Sequence, residues 1–372
     1  MNLLLLDQFS DLGGAQQVLL ELLPAFRRRG WKVLVGIPGQ GILFERVRES
    51  GFETEKIECG PYTSGRKSRA DLVRFLGGTA ALGRHIREMA GRLRADLIYV
   101  NGPRLLPATA WARLSVPVLF HAHSYLGPGP VRVLAGRSLR STRAWVLGTC
   151  RFVAEPWRRY VPEDRLKILY NGVAGPPPDR VVEMLVRPAT SPRIGCIGRI
   201  APEKGQREFV AAARIIHQAI PECRFSIFGA PLFVDPAALR YDAEVRAAAD
   251  GLPVEFAGWV QDVYASLANL DLLLVPSAGH EATTRVILEA FAAGVPVIAF
   301  RAGGIPEVVD HQVDGLLADS TEEMARLAID LLTGDRARIA VMSHAARETW
   351  RRRFTLERNH QQVLEWIGNI VQ

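Results

Sequence analysis

The chain has 372 residues, of which 48% are hydrophobic and 23% charged, a composition that excludes a disordered or low-complexity protein and suits two globular domains. A formal net charge of +7 favours anionic partners but does not choose among nucleotides, phosphorylated substrates and acidic lipids. Because no apolar run is long enough to span a bilayer and the short apolar start does not read as a signal peptide, we expect a cytoplasmic protein.

Short apolar runs alternate with longer amphipathic stretches in both halves of the chain. Strands are predicted at 3–6, 33–37, 97–100, 116–120, 145–147, 194–197, 225–228, 254–256, 272–275 and 295–300. This alternation predicts parallel sheets with helices on both faces. Since it occurs twice, we expect an α/β protein with two facing, doubly wound, Rossmann-like domains.

The division between the halves is marked by turn and proline signals. Asn171-Gly172 predicts a turn, and the prolines at 176–178 interrupt any helix or central strand. We therefore predict a linker at about 172–192. The N-terminal domain would comprise residues 1–172 and a returning helix at about 353–372, and the C-terminal domain residues 190–352.

A glycine pair follows the first predicted strand in the segment Asp11-Leu12-Gly13-Gly14-Ala15-Gln16. Glycines that open a helix let backbone amides approach an anion or a sugar. The spacing differs from G-x-G-x-x-G, so a nicotinamide dinucleotide is not favoured. A plain strand–helix turn that needs glycine is the alternative.

The segment 66–94 is basic, with Arg74, Arg84, Arg87 and Arg92 among apolar positions. Such a helix could contact an anionic membrane or a phosphorylated acceptor, and a solvated basic helix is the alternative. No basic stripe is rich in aromatic residues, so nucleic acid is not an expected partner.

Two histidines, His121 and His123, follow directly after the strand predicted at 116–120. If the extended chain continues through them, the alternation of a strand places both on one face. They could be metal ligands, but the local sequence offers no third ligand. For His121 a structural role and a functional role are equally compatible with the sequence.

The segment Gly198-Arg199-Ile200-Ala201-Pro202-Glu203-Lys204-Gly205 follows the strand at 194–197 and precedes a helix. Arg199 and Lys204, five residues apart at a strand end, can both reach one diphosphate. Preorganised cations there would stabilise negative charge on such a ligand. A basic surface turn is the alternative.

The most specific pattern runs from 276 to 317. The strand at 272–275 leads into a loop with His280 and Glu281, and a helix is predicted to begin near Thr283 or Thr284, either of which could cap it. The free N–H groups of that helix suit a phosphate. Glu289 lies about two turns later in the helix.

The pair Glu281 and Glu289, followed by Ala-x-x-x-Gly-x-Pro-Val-Ile-Ala and by Gly303-Gly304-x-x-Glu307, resembles glycosyltransferase family 4. Members of that family are retaining enzymes with the two-domain GT-B fold. The resemblance implies that Glu281 contacts the donor sugar and Glu289 the ribose, and that Arg199 and Lys204 neutralise the donor diphosphate. Where the family usually has Glu-Gly-Phe-Gly, this chain has Glu281-Ala282-Thr283-Thr284.

The resemblance also implies roles for residues in other loops. The catalytic prediction pairs Glu281 with His123, which aligns with a family histidine near the reacting sugar, and Trp259 and Val260 would border the nucleobase. The residues predicted to bind the diphosphate are Arg199, Lys204, Gly13, Gly14, Thr283, Thr284 and Arg285.

The resulting hypothesis is a retaining transfer of a sugar from a UDP- or GDP-sugar to a glycan, a lipid-linked acceptor or a small molecule. No metal or other cofactor is expected, because Arg199 and Lys204 supply the positive charge. An epimerase of sugar nucleotides and a non-catalytic subunit that binds sugar nucleotides are the alternatives. The expected location is cytoplasmic, with contact at the inner face of the membrane as an option.

Overall fold

The computed structural model describes residues 1–39, 41–59, 69–177, 191–231, 236–279, 281–334 and 336–372. It divides into two compact units. The first unit comprises Met1–Tyr170 and Asn359–Gln372, and the second comprises Asn171–Arg358. Most of the segment predicted as a linker, residues 178–190, lies outside the described residues.

The first unit is built on a seven-stranded parallel sheet in the order β3-β2-β1-β4-β5-β6-β7. Its strands are β1 (Asn2–Asp7), β2 (Lys32–Pro38), β3 (Glu53–Ile57), β4 (Leu97–Asn101), β5 (Val118–Ala122), β6 (Trp145–Gly148) and β7 (Leu166–Ile168). Its helices are α1 (Gly14–Arg28), α2 (Ile42–Glu49), α3 (Arg69–Leu93), α4 (Leu106–Ala112), α5 (Pro130–Ser141) and α6 (Arg151–Ala154).

The second unit is built on a six-stranded parallel sheet in the order β10-β9-β8-β11-β12-β13. Its strands are β8 (Arg193–Ile197), β9 (Arg224–Phe228), β10 (Val254–Gly258), β11 (Leu272–Val275), β12 (Val297–Phe300) and β13 (Leu316–Ala318). Its helices are α7 (Gln206–Ala219), α8 (Pro236–Ala248), α9 (Val263–Leu267), α10 (Arg285–Ala293), α11 (Thr321–Thr333) and α12 (Arg336–Arg353). The last helix, α13 (Leu356–Val371), belongs mostly to the first unit.

Each sheet is covered by helices, which accounts for the continuous apolar runs of its central strands. In β1, the residues from Leu3 to Leu6 are at most 1% exposed, and β11 is buried throughout. The two predicted Rossmann-like units are therefore confirmed.

The last helix, α13, returns to the first unit as expected. Its buried side chains Val363, Ile367 and Ile370 join the hydrophobic core that contains Leu3 and Leu5 of β1. Asn359 also donates a hydrogen bond from Nδ2 to the carbonyl oxygen of Tyr170, at 2.8 Å. The first unit is thus completed by the end of the chain.

The basic segment 66–94 is described only in part. Residues 66–68 lie outside the described residues, and Arg84 and Arg87 are exposed on α3. Arg92 forms an ion pair with Glu55 of β3.

None of the described helices is long and apolar enough to cross a bilayer. The four cysteines are buried free thiols.

Candidate functional site

Three loops meet at the carboxyl edge of the second sheet, where its strand order reverses between β8 and β11. They follow β8, β11 and β12, which are neighbours in the sheet. Ligands of open α/β sheets bind outside the carboxyl ends of the strands at such a reversal point. The predicted residues Arg199, Lys204 and Glu281 all lie on these loops.

The loop after β8 is held by Gln206, which is fully buried. Its Nε2 donates to the carbonyl oxygen of Arg199 at 2.8 Å, and its Oε1 accepts from the amide of Ala201 at 3.2 Å. The guanidinium of Arg199 pairs with Glu203, one turn later on the same loop. Neither Gln206 nor Glu203 was predicted to belong to the site, although Glu203 stands four residues after Arg199.

An ion pair joins the loop after β8 to the loop after β11. Nζ of Lys204 lies 2.8 Å from Oε2 of Glu281, and the two side chains are only 22% and 15% exposed. The residues are 77 positions apart in the chain, so the sheet order brings them together. A basic and an acidic group therefore share one partly buried position at the switch point.

Glycine backbone makes the close approach of these loops possible. A Cβ atom on Gly205 would lie 2.0 Å from the carbonyl oxygen of Pro276, and one on Gly303 would lie 1.9 Å from that of Glu281. Both glycines have positive φ angles, of +72° and +55°. The amide of Gly304 donates to the carbonyl oxygen of Glu281 at 3.1 Å, which fixes the acidic loop.

We expect Gly205→Ala to destabilise the second unit more than Gly251→Ala does. Gly251 has a φ of +74°, but a Cβ atom there would meet nothing within 4 Å, so it controls for backbone strain alone. The clash with Pro276 should add about 1–3 kcal/mol to the loss in the free energy of unfolding. Denaturant titration of both variants checks this, and equal losses would contradict the close approach.

The helix α10 begins directly after the acidic loop, but not with the predicted side-chain cap. Thr284 occupies the N-cap position, and among the described residues its buried hydroxyl oxygen has no hydrogen-bond partner. Its φ of +26° is unusual for a β-branched residue. Thr284 stands where the family has its second glycine, so the side chain is accommodated at the cost of backbone strain.

The other residues predicted on α10 form a second pair. Arg285 and Glu289, one turn apart, approach to 3.6 Å between guanidinium nitrogen and carboxylate oxygen, and both are less than 20% exposed. Thr283 is buried at 1% exposure, so its side chain is not available to a ligand at this site as it stands. His280 lies outside the described residues.

Trp259 and Val260 follow β10 at the edge of the second sheet. Trp259 is 53% exposed. It follows Gly258, whose carbonyl oxygen accepts a hydrogen bond of 2.7 Å from the amide of Gly229. An exposed aromatic surface at a strand end is compatible with the predicted position beside a base.

The first unit has its own buried polar network at the switch point between β1 and β4. Asp7 and Asn101 end these strands in register, and Asn101 donates a side-chain hydrogen bond to Asp7. Gln16 of α1 donates a second one, from Nε2 to Oδ1 at 3.0 Å. Among the described residues, no heavy atom lies within 4 Å of a Cβ atom built on Gly14, at the start of α1.

Burial dominates the titration of Asp7. It raises the pKa of this carboxyl from 3.8 to about 6, although hydrogen bonds from Asn101, the amide of Phe9 and Gln16 act in the opposite direction. The folded state therefore binds this proton more tightly than the unfolded state does. Stability from this group is present below pH 4 and is lost as the pH rises through 6.

We expect Asp7→Asn to remove the loss of stability that accompanies ionisation of Asp7. The difference between a pKa of 3.8 and one of about 6 corresponds to about 3 kcal/mol. The free energy of unfolding of the wild type, relative to that of the variant, should therefore fall by about 3 kcal/mol between pH 4 and pH 7. Unfolding free energies across this range check the prediction, with Asp11→Asn as the control for loss of an exposed carboxyl. A constant difference between wild type and Asp7→Asn would contradict it.

His121 within β5 and His123 directly after it lie against each other, with ring centroids 3.8 Å apart. His121 is 2% exposed, and its Nδ1 shares a hydrogen bond with the hydroxyl of Tyr99. Burial, and then the neighbouring His123, hold the pKa of His121 well below its usual value, so its ring is neutral at neutral pH. His123 is more exposed than His121. The structure thus favours a structural role for His121.

Within the described residues, no group of three or more His, Cys, Asp or Glu side chains is placed to hold a metal ion.

The predicted residues fall into two sets. The second unit brings Lys204 into contact with Glu281 and carries Arg199 on the same loop as Lys204. Gly13, Gly14 and His123 lie in the first unit. Asp7 and Gln16 were not predicted, although Asp7 ends an otherwise apolar strand.

Two Rossmann-like units, the second with basic and acidic side chains at its switch point, define the GT-B class of fold. Comparison with family models matches "Glycosyltransferase Family 4" over residues 12–174 and "Glycosyl transferases group 1" over residues 191–334. The two matches lie in succession and cover most of the chain. The chain belongs to the family 4 glycosyltransferases.

Two relatives illustrate the range of similar proteins. A GDP-mannose-dependent alpha-(1-6)-phosphatidylinositol monomannoside mannosyltransferase of Mycobacterium tuberculosis is 36% identical over 167 residues, which span 42% of this chain and 42% of that protein. A 2-deoxystreptamine N-acetyl-D-glucosaminyltransferase of Streptomyces fradiae is 27% identical over 366 residues, covering 88% of this chain and 84% of that protein. The first similarity therefore extends over less than half of the relative's length.

A solved structure has the same architecture. HepE of Anabaena, in complex with UDP and glucose, superposes with a TM-score of 0.81 at 24% identity, covering 99% of both chains. This similarity establishes the shared fold.

Proposed function

We propose that this protein is a retaining glycosyltransferase that uses a nucleoside diphosphate sugar, with the donor bound at the switch point of the second sheet. The observation that carries the proposal is the partly buried contact of 2.8 Å between Lys204 and Glu281. Arg199 lies on the same loop as Lys204. Such a site offers positive charge for a diphosphate and a carboxylate for the sugar attached to it.

Lys204 is balanced by Glu281 and Arg199 by Glu203. A bound diphosphate would compete for both cations and would release the Glu281 carboxylate toward the sugar. The exchange keeps the number of buried unpaired charges low, which makes ligand binding less costly. We propose that Arg285 and the α10 N-terminus contribute to the same phosphate site, and that Glu289 binds the ribose.

In the proposed reaction, the bond between the anomeric carbon and the diphosphate oxygen breaks while an acceptor hydroxyl oxygen bonds to that carbon on the same face. The acceptor proton passes to the leaving phosphate. Arg199 and Lys204 stabilise the negative charge on the leaving group, and Glu281 stabilises the positive charge that develops on the sugar ring. Because these side chains supply the charge, no metal ion is required.

The relatives are named for different donors, sugars and acceptors, so the substrates of this chain are proposed only by class. The donor class is a UDP- or GDP-sugar, and the acceptor is a glycan, a lipid-linked sugar or a small molecule. We also propose a cytoplasmic location, with exposed Arg84 and Arg87 on α3 as the residues that would contact an anionic membrane.

A thermal-shift screen of nucleoside diphosphates and their sugars tests the donor assignment, since a ligand that binds only the folded state raises the apparent stability. The reaction is then followed with the donor that binds, and the anomeric configuration of the product is read by NMR. Retention supports the proposal. Conversion of the donor to an epimer without an acceptor, or binding without transfer to any acceptor, would overturn it.

A further inference from the structure

A cavity separate from the residues discussed above opens in the first unit. Its volume is about 310 Å³, and it is lined by Tyr125, Arg132, Glu155, Pro156, Arg158 and Arg159. We call it the arginine pocket. It belongs to the carboxyl edge of the first sheet, because Tyr125 and Arg132 follow β5 and the other four residues follow β6, the neighbouring strand.

The charge of the arginine pocket is unbalanced. Arg158 is neutralised by two carboxylates, with Nε 3.0 Å from Glu155 and Nη1 2.7 Å from Glu163. Arg132 and Arg159 have no carboxylate partner among the described residues. Arg132 donates only a long hydrogen bond, of 3.5 Å, to the carbonyl oxygen of Leu126, and Arg159 stacks on the ring of Tyr160 at 4.9 Å.

The walls of the pocket are firmly anchored. Tyr125 stacks on Phe152 with ring centroids 4.6 Å apart, and Pro156 precedes Trp157, which is fully buried. Trp157 packs edge-on against Phe120 of β5 at 5.2 Å. Because the backbone that carries Arg159 is tied to the sheet in this way, the pocket is preorganised on the side formed by residues 155–159.

We propose that the arginine pocket binds a phosphate ester carried by the sugar acceptor. Two guanidinium groups without carboxylates supply the charge and the forked donors that a phosphate takes. The stacked Tyr125 and Phe152 provide an apolar surface beside it, which suits the carbon side of a sugar or polyol. The volume lies at the lower end of ligand cavities and fits such a small group, not a whole nucleotide sugar.

The identification of the ligand as the sugar acceptor rests on the proposed glycosyl transfer, but phosphate binding in the pocket can be tested alone. The probe is glycerol 3-phosphate, added to the full-length protein and followed by calorimetric titration, with glycerol as the uncharged comparison. Arg132→Gln/Arg159→Gln should bind the probe about tenfold to a hundredfold more weakly, as expected for loss of hydrogen bonds between charged groups.

Arg137→Gln is the matched control. It removes one exposed positive charge from α5, the helix that carries Arg132, but Arg137 does not line the pocket. Its affinity for the probe should equal that of the wild type. If Arg132→Gln/Arg159→Gln fails to fold, Arg132→Lys/Arg159→Lys keeps the charge and should still weaken binding, because lysine lacks the forked geometry.

The phosphate could come from a soluble ester or from a lipid headgroup, and vesicles distinguish these sources. Vesicles of phosphatidylglycerol and phosphatidylcholine are compared with phosphatidylcholine alone. Binding of glycerol 3-phosphate alone assigns a soluble ester, and binding of both probes that depends on Arg132 and Arg159 assigns a lipid. The proposal is wrong if the double variant binds the probes as tightly as the wild type does. It is also wrong if neither probe binds saturably at millimolar concentration.

The donor response separates this inference from the proposed function. Pocket variants should keep the thermal shift caused by the nucleoside diphosphate, since the residues at the donor site are unchanged. If the wild type shows no such shift but binds glycerol 3-phosphate through the two arginines, the donor assignment fails and the phosphate pocket stands. The reverse pattern removes the pocket and leaves the donor site.

Discussion

Lys204→Ala is expected to lower kcat/KM for sugar transfer by about 10²–10³-fold, the range seen when one preorganised group that stabilises developing charge is removed. The variant loses the ammonium that would meet the leaving diphosphate. It also leaves Glu281 without its partner at 2.8 Å, in a position where that carboxylate is only 15% exposed. Both changes disfavour a bound diphosphate, so the thermal shift caused by the nucleoside diphosphate should disappear as well.

Arg207→Ala is the matched control for this result. Arg207 lies three residues further along the chain and pairs with Glu244, but both side chains are about half exposed. Exposed pairs of this kind contribute only about 0–1 kcal/mol, and loss of this charge should leave transfer within about twofold of wild type. A similar loss of activity in both variants would show that net charge, not the position of Lys204, is what the enzyme requires.

Glu281→Gln is expected to separate binding from chemistry. Glutamine keeps the size of the side chain but removes the charge that holds Lys204 and that would stabilise the sugar in the transition state. We therefore expect kcat to fall by about 10²–10³-fold while the nucleoside diphosphate binds as tightly as before or more tightly. Steady-state kinetics and calorimetric titration of the same preparation measure the two effects.

Glu244→Gln, the other member of the exposed pair, is the control and should change neither quantity. Equal loss of diphosphate affinity in Glu281→Gln and Lys204→Ala would mean that the pair acts as a structural unit. Unchanged kcat in Glu281→Gln would remove the carboxylate from the reaction. A double-mutant cycle over Lys204 and Glu281 then reports their coupling directly, because each residue is the main charged contact seen for the other.

The central strands of both sheets were predictable because burial on both faces demands continuous apolar residues. The strands β3, β7 and β13 were missed, and each is an edge strand of its sheet. β3 consists of Glu53-Thr54-Glu55-Lys56-Ile57, of which only Ile57 is buried, while β7 and β13 have three residues each. In β3, exposure at the sheet edge removes the hydrophobic signal on which sequence-based assignment depends. The strands β7 and β13 are too short to show a pattern, although β13 is buried throughout.

Site residues were predictable from the sequence where they lie together in one short segment. Segments such as 198–205 and 281–289 carry their residue types and spacing in the sequence itself, and strand ends determine which edge of the sheet they reach. The partners of those residues were not predictable. Glu203 with Arg199, and Gln206 as the buried anchor of the loop, depend on turn geometry that no periodic pattern records.

By itself, the sequence determined two doubly wound units, the return of the last helix to the first unit, and a basic and an acidic segment at strand ends of the second. Only the tertiary structure decided that Lys204 meets Glu281 across 77 positions, that Asp7 is buried against Asn101, and that Arg132 and Arg159 line one pocket. The reason is physical. Apolar periodicity is a local consequence of burial, whereas contacts between loops depend on the order of strands in a sheet, which local patterns do not encode.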